Sequence, residues 1–541
     1  MHNSLFQVPV PVNEPVNNYS QGSVERTALM QAIKHAKSTL KDIPMYIGSQ
    51  RVYTDKKIAV NPPHELKHIL GYYYYGGKIE AQSAIEASLE AKIYWENMPW
   101  EHRAAIFLKA ADLISTKYRY IINAGTMLAQ SKSVHQAEID AVCEFADFLR
   151  YNVYFAQQIY NIQPHSAPGM WNRMEYRPLE GFVYALTPFN FTAIAANLPI
   201  APALMGNTVV WKCADQQVYT AAIIMDILLE AGLPHGVINL IYGDGVEIGN
   251  AIFSHPDFAG LHFTGSTQVF NTLWTQIGNN IPIYKSYPRI VGETGGKDFV
   301  LAHQSADINI LNTALIRGAF EYQGQKCSAA SRAYIPAVLW SELKALMVDT
   351  LKTIKVGPAD DLTCYVNAVI DHKAYEKITG YISRAKINPA NTLIFGGQFD
   401  DSQGYFIHPT IFQTNDPHSE TMENEIFGPV LTIYVYEESF EKIIEIINNT
   451  SPYALTGAVI ANDKIAQQQA LTGLRNAAGN FYINDKPTGA VVGQQPFGGA
   501  RRSGTNDKSG SMLNLLRWVS PRTIKEVFQS PTDYRYPFLE S

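Results

Sequence analysis

Cysteine is scarce in this sequence, because its 541 residues include only four. Such scattered cysteines cannot build a disulfide framework, and their number favours a reducing compartment. Basic residues do not outnumber acidic ones, and the net charge of -6 disfavours nucleic acid as a partner. The length is sufficient for two or three domains with large cores.

Long apolar runs are also missing. Residues 1–30 contain no apolar signal core and only one arginine, Arg26. This composition disfavours secretory and organellar signals, so we expect a cytoplasmic protein. The stretch 181–211 has no charged residue, but Pro188, Pro199 and Pro202 interrupt it. It therefore predicts a buried strand, a loop and a core helix rather than a membrane span.

Helical spacing of apolar residues predicts four helices in the first part of the chain, at 24–40, 79–98, 102–130 and 134–160. Three acids in the last helix, Glu138, Asp140 and Glu144, are interpreted as solvated or helix-pairing charges. The segment 162–179 is irregular and then strand-like, which suggests a projecting hairpin whose edge pairs between subunits.

The sequence HELKH at 64–68 matches a zinc-protease motif. That motif needs a helix, where positions i and i+4 share one face. Two prolines precede the motif and a β-rich tyrosine run follows it, so we expect no metal site here.

Strands and helices alternate after Gly181, which predicts a parallel α/β sheet of the dinucleotide-binding type. The predicted strands there are 182–186, 208–212, 237–242 and 260–264, and a helix is predicted at 219–231. A second alternation runs from 332 to about 480, with strand candidates at 405–410, 430–436 and 456–460.

Two glycine motifs compete for a phosphate. The first, at 243–249, resembles G-x-G-x-x-G but has one residue too many. The second, FTGST at 263–267, follows a predicted strand and opens a helix, where backbone N–H groups suit a phosphate. The alternative for the second motif is an ordinary Ser/Thr helix cap.

An acid and a cysteine lie in two further small-residue turns, ETGGK at 293–297 and GQKCS at 324–328. Cys327 and Glu293 are the pair that a thiol enzyme needs to form an acyl intermediate and then admit water. The alternative is a buried apolar cysteine beside an unrelated surface turn.

Taken together, these motifs resemble the aldehyde dehydrogenase family along nearly the whole chain. The shared stretches are PFNF at 188–191, WK at 211–212, FTGST at 263–267, ETGGK at 293–297, GQKCS at 324–328 and EIFGP at 425–429. Within the family the chain is similar to the 1-pyrroline-5-carboxylate dehydrogenases, on the segments TGA at 488–490, QQPFGGA at 494–500 and SGTN at 503–506.

The resemblance implies an aldehyde dehydrogenase-like α/β fold with a Rossmann-type NAD-binding domain at 1–295, interrupted by a β-flap near 160–180. It further implies an α/β catalytic domain at 296–500 and a C-terminal oligomerisation segment at 501–541. The oligomer it implies is at least a dimer.

The resemblance also implies residue roles. Cys327 would be the nucleophile and Glu293 the base for the hydrolytic water. Asn190 and the Cys327 N–H would hold the oxyanion. The implied cofactor is NAD, contacted by Thr187, Lys212, Gly265, Ser266, Thr267, Gln268, Val269, Glu425 and Phe427. Asp215 would accept a hydrogen bond from the ribose 2′-hydroxyl and repel the 2′-phosphate of NADP.

The implied substrate is L-glutamate 5-semialdehyde, from 1-pyrroline-5-carboxylate, oxidised to L-glutamate in the second step of proline catabolism. Ser328, Gly489 and Ala490 would hold its carboxylate, and Phe191 and Phe497 would flank its chain. Vertebrate members carry serine where this chain has Ala490, so one hydroxyl contact is absent.

Three alternatives remain open: another hydrolytic dehydrogenase for a carboxylated aldehyde, an acylating enzyme using coenzyme A, and a non-enzymatic family member. A separate proline dehydrogenase is a candidate partner, whereas a membrane is not expected.

Overall fold

The computed structural model describes residue 4 and residues 6–539. Its first part is rich in helices that surround a few short strands. In chain order the elements are α1 (Val24–Ser38), β1 (Lys41–Ile43), β2 (Met45–Ile47), β3 (Gln50–Val52), β4 (Lys57–Val60), β5 (Gly71–Tyr74), α2 (Lys78–Trp95), α3 (Trp100–Ser115), α4 (Arg119–Gln130), α5 (Val134–Ala137), a π-helix (Glu138–Glu144), α6 (Phe145–Tyr160) and β6 (Met170–Pro178).

Strands and helices then alternate, as the sequence pattern predicts. The elements are β7 (Phe182–Thr187), α7 (Thr192–Leu204), β8 (Thr208–Cys213), α8 (Val218–Ala231), β9 (Ile238–Ile241), α9 (Gly245–Phe253), β10 (Phe258–Thr264), α10 (Thr267–Asn279) and β11 (Arg289–Glu293). A seven-stranded sheet has the order β11-β10-β7-β8-β9-β2-β3. The strands from β11 to β9 are parallel, whereas β2 and β3 are antiparallel additions.

The second alternation contains the remaining elements. They are β12 (Asp298–Ala302), α11 (Ile308–Phe320), β13 (Ala330–Pro336), α12 (Ala337–Lys352), α13 (His372–Ile387), β14 (Asn391–Phe395), β15 (Phe399–Asp400), β16 (Phe406–Ile407), β17 (Thr410–Thr414), α14 (Glu420–Glu423), β18 (Val430–Tyr436), α15 (Phe440–Thr450), β19 (Tyr453–Ala454), β20 (Thr456–Ile460), α16 (Lys464–Gly473), β21 (Asn480–Ile483), β22 (Ala500–Arg501), α17 (Met512–Leu515) and β23 (Val519–Val527).

A second seven-stranded sheet, with the order β14-β17-β18-β13-β12-β20-β21, is also parallel except for β14. Both of its faces are buried. Along β12, Phe299 and Leu301 belong to one apolar cluster, while Val300 and Ala302 belong to the cluster on the opposite face. Helices cover both sides, which is the usual arrangement of a parallel sheet. The domain boundaries at 295 and 500 stay predictions.

Strand β6 does not form a local hairpin. It pairs in antiparallel register with β23, from Val519 opposite Pro178 to Val527 opposite Met170. The strand at 171–176 is therefore confirmed, but the expected hairpin partner was wrong. The partner strand lies more than three hundred residues later, which local sequence signals cannot indicate.

Two predicted elements differ in the structure. The helix expected at 102–130 breaks after Ser115, because the Thr116 backbone leaves the helical region and its hydroxyl donates to the Asp112 carbonyl at 2.5 Å. The strand expected at 405–410 is interrupted at Pro409, which has no N–H to donate, and the main strand there is β17.

The HELKH segment forms turns rather than a helix. His64 is buried, and its Nδ1 lies 3.0 Å from Ser131 Oγ. The i, i+4 geometry of the zinc motif is thus not formed. Across residue 4 and residues 6–539, no group of three or more His, Cys, Asp or Glu side chains has a metal-binding arrangement. Within the same residues, no helix combines the length and the apolar character that crossing a membrane requires.

Of the two alternatives for Glu138, Asp140 and Glu144, solvated charges were wrong for the first two, whereas Glu138 does pair with a helix, through Arg119 of α4. Glu138 and Asp140 are fully buried, and the π-helix that contains them is a feature often found at functional sites. Asp140 accepts a hydrogen bond from Lys132 Nζ at 2.6 Å and from the N–H groups of Thr192 and Ala193 at 2.9 Å each. This carboxylate therefore joins the π-helix to the start of α7.

We predict that Asp140→Asn lowers the free energy of unfolding by about 3–5 kcal/mol, because it leaves the buried Lys132 ammonium without its counter-charge. Urea denaturation measures this change. Asp349→Asn is the matched control, since it breaks an exposed Asp–Lys pair and should cost less than about 1 kcal/mol. Equal losses for both variants would contradict the prediction.

Candidate active site

The two small-residue turns that hold the acid and the cysteine lie together. Glu293 is the last residue of β11, and Cys327 follows α11 through a short irregular turn. Both side chains line one cavity of about 420 Å³. The structure therefore brings together the two groups on which the predicted chemistry depends.

Gly296 allows this approach. A Cβ built on Gly296 would lie 2.1 Å from the Cys327 carbonyl oxygen, which no real side chain could tolerate. The Gly296 N–H donates to Glu425 Oε1 at 2.9 Å, and the Gly295 N–H donates to Thr267 Oγ1 at 3.2 Å. The glycine turn thus contacts the cysteine segment and two of the predicted cofactor-binding residues.

The backbone before Cys327 has an unusual conformation. Tyr322, Gln323 and Gly324 all have positive φ, at 50°, 56° and 65°, and the first two carry side chains that disfavour this region. The Gln323 amide stabilises the turn by donating to the carbonyls of Ser131 at 3.0 Å and Ala368 at 2.8 Å. Long-range hydrogen bonds therefore hold the turn that presents the thiol.

Asn190 lies beside the same segment without lining the cavity. Its Nδ2 donates to the Gln325 carbonyl at 3.0 Å. An amide nitrogen has two hydrogens, so this bond orients Asn190 and leaves a second N–H for an oxygen bound near Cys327.

Burial sets the protonation of the central groups. Burial raises the pKa of the Cys327 thiol well above its usual value, and the carboxyl groups of Glu293, Asp298 and Glu425 raise it further. Burial also raises the pKa of Glu293 to about 8, and the positive charge of Lys508 opposes that rise. Glu293 Oε1 is buried without a hydrogen-bond partner in the described part of the chain. Such a carboxylate is suited to take a proton near neutral pH.

All five predicted substrate-binding residues line the cavity that contains Cys327: Phe191, Ser328, Gly489, Ala490 and Phe497. The Ser328 hydroxyl lies 2.8 Å from the Thr488 hydroxyl. Gly489 has φ +98°, which favours glycine and turns the backbone of this loop. The cavity wall therefore has a polar part, which includes two hydroxyls and a glycine loop.

Sequence reasoning missed several charged residues of the cavity wall, including Glu144, Lys326 and Lys486. Lys326 Nζ donates to Glu321 Oε2 at 3.0 Å. Lys486 Nζ lies near Gly489, since a Cβ built on that glycine would be 3.1 Å from it. Lys326 adjoins Cys327 and Lys486 lies two residues before Thr488, so proximity to the motifs was the one available signal.

The predicted cofactor-binding residues do not line this cavity. Thr187, Lys212 and Asp215 lie at or just beyond the carboxyl ends of the neighbouring parallel strands β7 and β8. The edge formed by these strand ends is where open α/β sheets bind nucleotides. Lys212 Nζ is 3.8 Å from Asp215 Oδ1, and that oxygen is buried without a hydrogen-bond partner among the described residues.

The segment expected to contact the pyrophosphate and adenine follows β10 at the same edge. It comprises Gly265, Ser266, Thr267, Gln268 and Val269, and it opens α10. Ser266 is the N-cap, and its hydroxyl accepts the Val269 N–H at 3.3 Å. The helix start carries no acidic side chain, so it favours an anion.

The competing glycine motif has a different environment. Asp244 caps α9, and its carboxylate accepts the N–H groups of Val246 and Glu247 at 2.9 Å each. A negative side chain already satisfies these donors, which disfavours a phosphate there.

Two further predicted cofactor-binding residues lie in the segment between α14 and β18, a strand of the second sheet. Glu425 accepts from Gly296 as described above, and burial raises its pKa. Phe427 has φ 63° and contacts Phe189, with 5.9 Å between ring centroids. These contacts connect the Glu425 segment to the end of β7, between the nucleotide edge and the cavity.

Comparison with known proteins agrees with this geometry. The model of the aldehyde dehydrogenase family matches residues 51–524. A mitochondrial delta-1-pyrroline-5-carboxylate dehydrogenase of Dictyostelium discoideum is 52% identical over 99% of this chain and 97% of its own length. The delta-pyrroline-5-carboxylate dehydrogenase of Mycobacterium tuberculosis, solved with bound NAD, has a TM-score of 0.97 and 52% identity over 100% of both chains.

A third structure is proline utilization A of Bdellovibrio bacteriovorus, with a TM-score of 0.92 and 30% identity. The match covers 97% of this chain and 54% of that protein. These findings confirm the expected fold and the resemblance inferred from the motifs: the chain belongs to the aldehyde dehydrogenase family.

Proposed function

We propose that this protein oxidises L-glutamate 5-semialdehyde to L-glutamate with NAD and water, the second step of proline catabolism. One observation carries the proposal. The thiol of Cys327, the carboxyl of Glu293 and the polar loop at Gly489 line a single cavity. A cavity with a nucleophile, a base and further polar groups in its wall fits an aldehyde that also bears a carboxylate.

The residues at the nucleotide edge fit NAD. Lys212 and Asp215 provide a cation and a carboxylate for the adenosine ribose, and the start of α10 provides N–H groups for the pyrophosphate. The buried carboxylate of Glu425 is available to the second ribose. When bound, NAD supplies the acceptor for the hydride that leaves the aldehyde carbon.

In the first half-reaction, Cys327 Sγ attacks the aldehyde carbon as Glu293 takes the thiol proton. A base is needed because burial and three nearby carboxyl groups keep the free thiol protonated. The carbonyl oxygen becomes an oxyanion, which Asn190 Nδ2 and the Cys327 N–H stabilise. Loss of hydride from this hemithioacetal leaves a thioester on Cys327.

In the second half-reaction, Glu293 releases its proton to solvent and takes a proton from an incoming water molecule. The resulting hydroxide attacks the thioester, and the carbon–sulfur bond breaks. Cys327 recovers a proton, and glutamate leaves. Because Glu293 serves both halves in turn, a pKa near neutrality suits it better than that of an exposed glutamate.

The cavity has groups for both charges of the substrate, its carboxylate and its ammonium. The Ser328 hydroxyl and the N–H groups of Gly489 and Ala490 bind the substrate carboxylate, and the Lys486 ammonium beside this loop favours the same anion. Glu144 faces the cavity and provides a carboxylate for the substrate ammonium. Phe191 and Phe497 enclose the aliphatic chain.

Glu293 also separates this proposal from its alternatives. An acylating enzyme passes its thioester to coenzyme A and needs no base for water, whereas here the base faces the thiol cavity. Product analysis with and without coenzyme A tests this point. Another carboxylated aldehyde is the remaining candidate, and a panel of semialdehydes of different chain length tests it.

The proposals for the oligomer, the partner enzyme and the cell compartment are less detailed. The β6–β23 ribbon supports a dimer or larger homo-oligomer, which sedimentation measures.

A proline dehydrogenase is the proposed supplier of substrate, because the chain matches only about half of the Bdellovibrio proline utilization A. Four free cysteines support the cytoplasm, although the Dictyostelium relative is named mitochondrial, and cell fractionation decides between the two.

We predict that Glu293→Gln slows both the first turnover of NADH formation and steady turnover by about 100-fold or more, because the amide can take a proton neither from the thiol nor from water. Rapid-mixing absorbance measures both phases. In the parent, turnover limited by thioester hydrolysis should rise roughly tenfold per pH unit up to about pH 8, where the Glu293 carboxyl becomes ionised. The variant should lose this dependence, and Cys327→Ala should lose the first turnover.

Ser328→Ala should raise the KM for the semialdehyde by about tenfold, since it removes a hydrogen bond to the carboxylate. The KM for propanal, which has no carboxylate, should change by less than about twofold. Steady-state kinetics with both aldehydes measure this difference. Ser331→Ala, on strand β13 outside the cavity, is the control. Parallel changes for both aldehydes would count against carboxylate recognition by Ser328.

Asp215→Ser should raise the ratio of kcat/KM for NADP to that for NAD by about tenfold or more, because it removes a negative charge from the ribose site while Lys212 remains. Gln216→Ala is the neighbouring control, as the Gln216 amide donates to Asp371 instead. An unchanged ratio in Asp215→Ser would place the 2′-hydroxyl contact elsewhere.

A further inference from the structure

The extended segment before α1 contributes to the wall of the substrate cavity. Asn13, Glu14 and Val16 line the cavity together with Cys327 and the Gly489 loop. These three residues precede residue 51, where the match to the family model begins. A part of the cavity wall thus comes from chain outside the matched family region.

Asn13 connects this segment to two other parts of the cavity wall. Its Nδ2 donates to Asp147 Oδ2 of α6 at 2.7 Å and to the Val492 carbonyl at 2.8 Å. Its Oδ1 accepts from Gln494 Nε2 at 3.0 Å. The Asn13 amide therefore uses both donor hydrogens and its acceptor in bonds that join α6 to the loop following Gly489 and Ala490.

The segment is anchored independently of this amide. The Glu14 N–H donates to Asp147 Oδ1 at 2.8 Å, and the Glu14 carboxylate accepts from Arg119 and Arg150 at 2.7 Å each. The Tyr19 hydroxyl donates to the buried Glu138 carboxylate at 2.6 Å. Removing the Asn13 side chain would therefore leave the segment attached while releasing the loop.

The loop that Asn13 contacts also packs against α6. Residues 491–495 form a turn in which the N–H groups of Gln494 and Gln495 both donate to the Val491 carbonyl at 3.0 Å. Gly493 has φ +82° and packs so tightly that an added Cβ would lie 2.2 Å from the Tyr151 ring. The loop is therefore held both by its packing against α6 and by its hydrogen bonds to Asn13.

We infer that Asn13 is a positioning residue that sets the affinity for the substrate carboxylate by holding the loop that presents the Gly489 and Ala490 N–H groups. This inference rests on the proposed function, since it assumes a substrate whose carboxylate binds to the Gly489 and Ala490 N–H groups. Asn13 acts through the loop and does not take part in the chemistry at Cys327. Its loss should therefore change KM for carboxylated aldehydes and not kcat.

Asn13→Ala in the full-length enzyme tests the inference. The KM for L-glutamate 5-semialdehyde should rise by about tenfold, while kcat, the KM for NAD and the KM for propanal each stay within about twofold. Gln494→Ala approaches the same contact from the loop and should raise the same KM, even if Asn13→Ala folds poorly. Asn17→Ala is the matched control, because Asn17 joins Glu138 through its backbone N–H.

A parallel rise in KM for both aldehydes, or no rise in either, would overturn the inference. The Ser328→Ala result separates this failure from failure of the proposed function. If Ser328→Ala discriminates between the aldehydes and Asn13→Ala does not, only the role of Asn13 is wrong. If neither variant discriminates, the carboxylated substrate itself is wrong.

Discussion

The close contact between the Gly296 backbone and the Cys327 carbonyl is the constraint on which the site depends. It places the end of β11, from the first sheet, against the turn before β13, from the second sheet. Any side chain at position 296 would separate the two turns and move Glu293 away from the thiol. The two sheets can therefore form one active site only where a glycine allows backbone to meet backbone.

The two groups are buried at this site, and burial affects their chemistry. Burial disfavours ionisation of Cys327 and Glu293 alike. In the proposed mechanism the thiol proton therefore has to leave as the sulfur attacks. The same burial that weakens the acidity of Glu293 makes its carboxylate a stronger base, so one environment suits both proposed half-reactions.

The sequence predicted the alternating sheets and the residues of the chemical motifs, because glycine turns and strand–helix alternation are local signals. It did not predict the role of Asp140 or Glu138, since their partners Lys132, Arg119 and Tyr19 come from other elements. It also missed the pairing of β6 with β23, which depends on residues far along the chain. Local sequence motifs indicate which residues are candidates for the chemistry, whereas the burial of charged side chains depends on long-range packing.

The same distinction explains where substrate selectivity arises. In the proposed mechanism Cys327, Glu293 and Asn190 act on the aldehyde group, which every substrate of such an enzyme shares. Discrimination must then come from other groups of the cavity wall, among which are Ser328, the Gly489 loop and Lys486. Those groups lie on loops, and a loop can discriminate between substrates only if its position is fixed. The segment before residue 51 can fix the position of the loop without altering the turns that contain Glu293 and Cys327. Substrate selectivity and reactivity can therefore change independently.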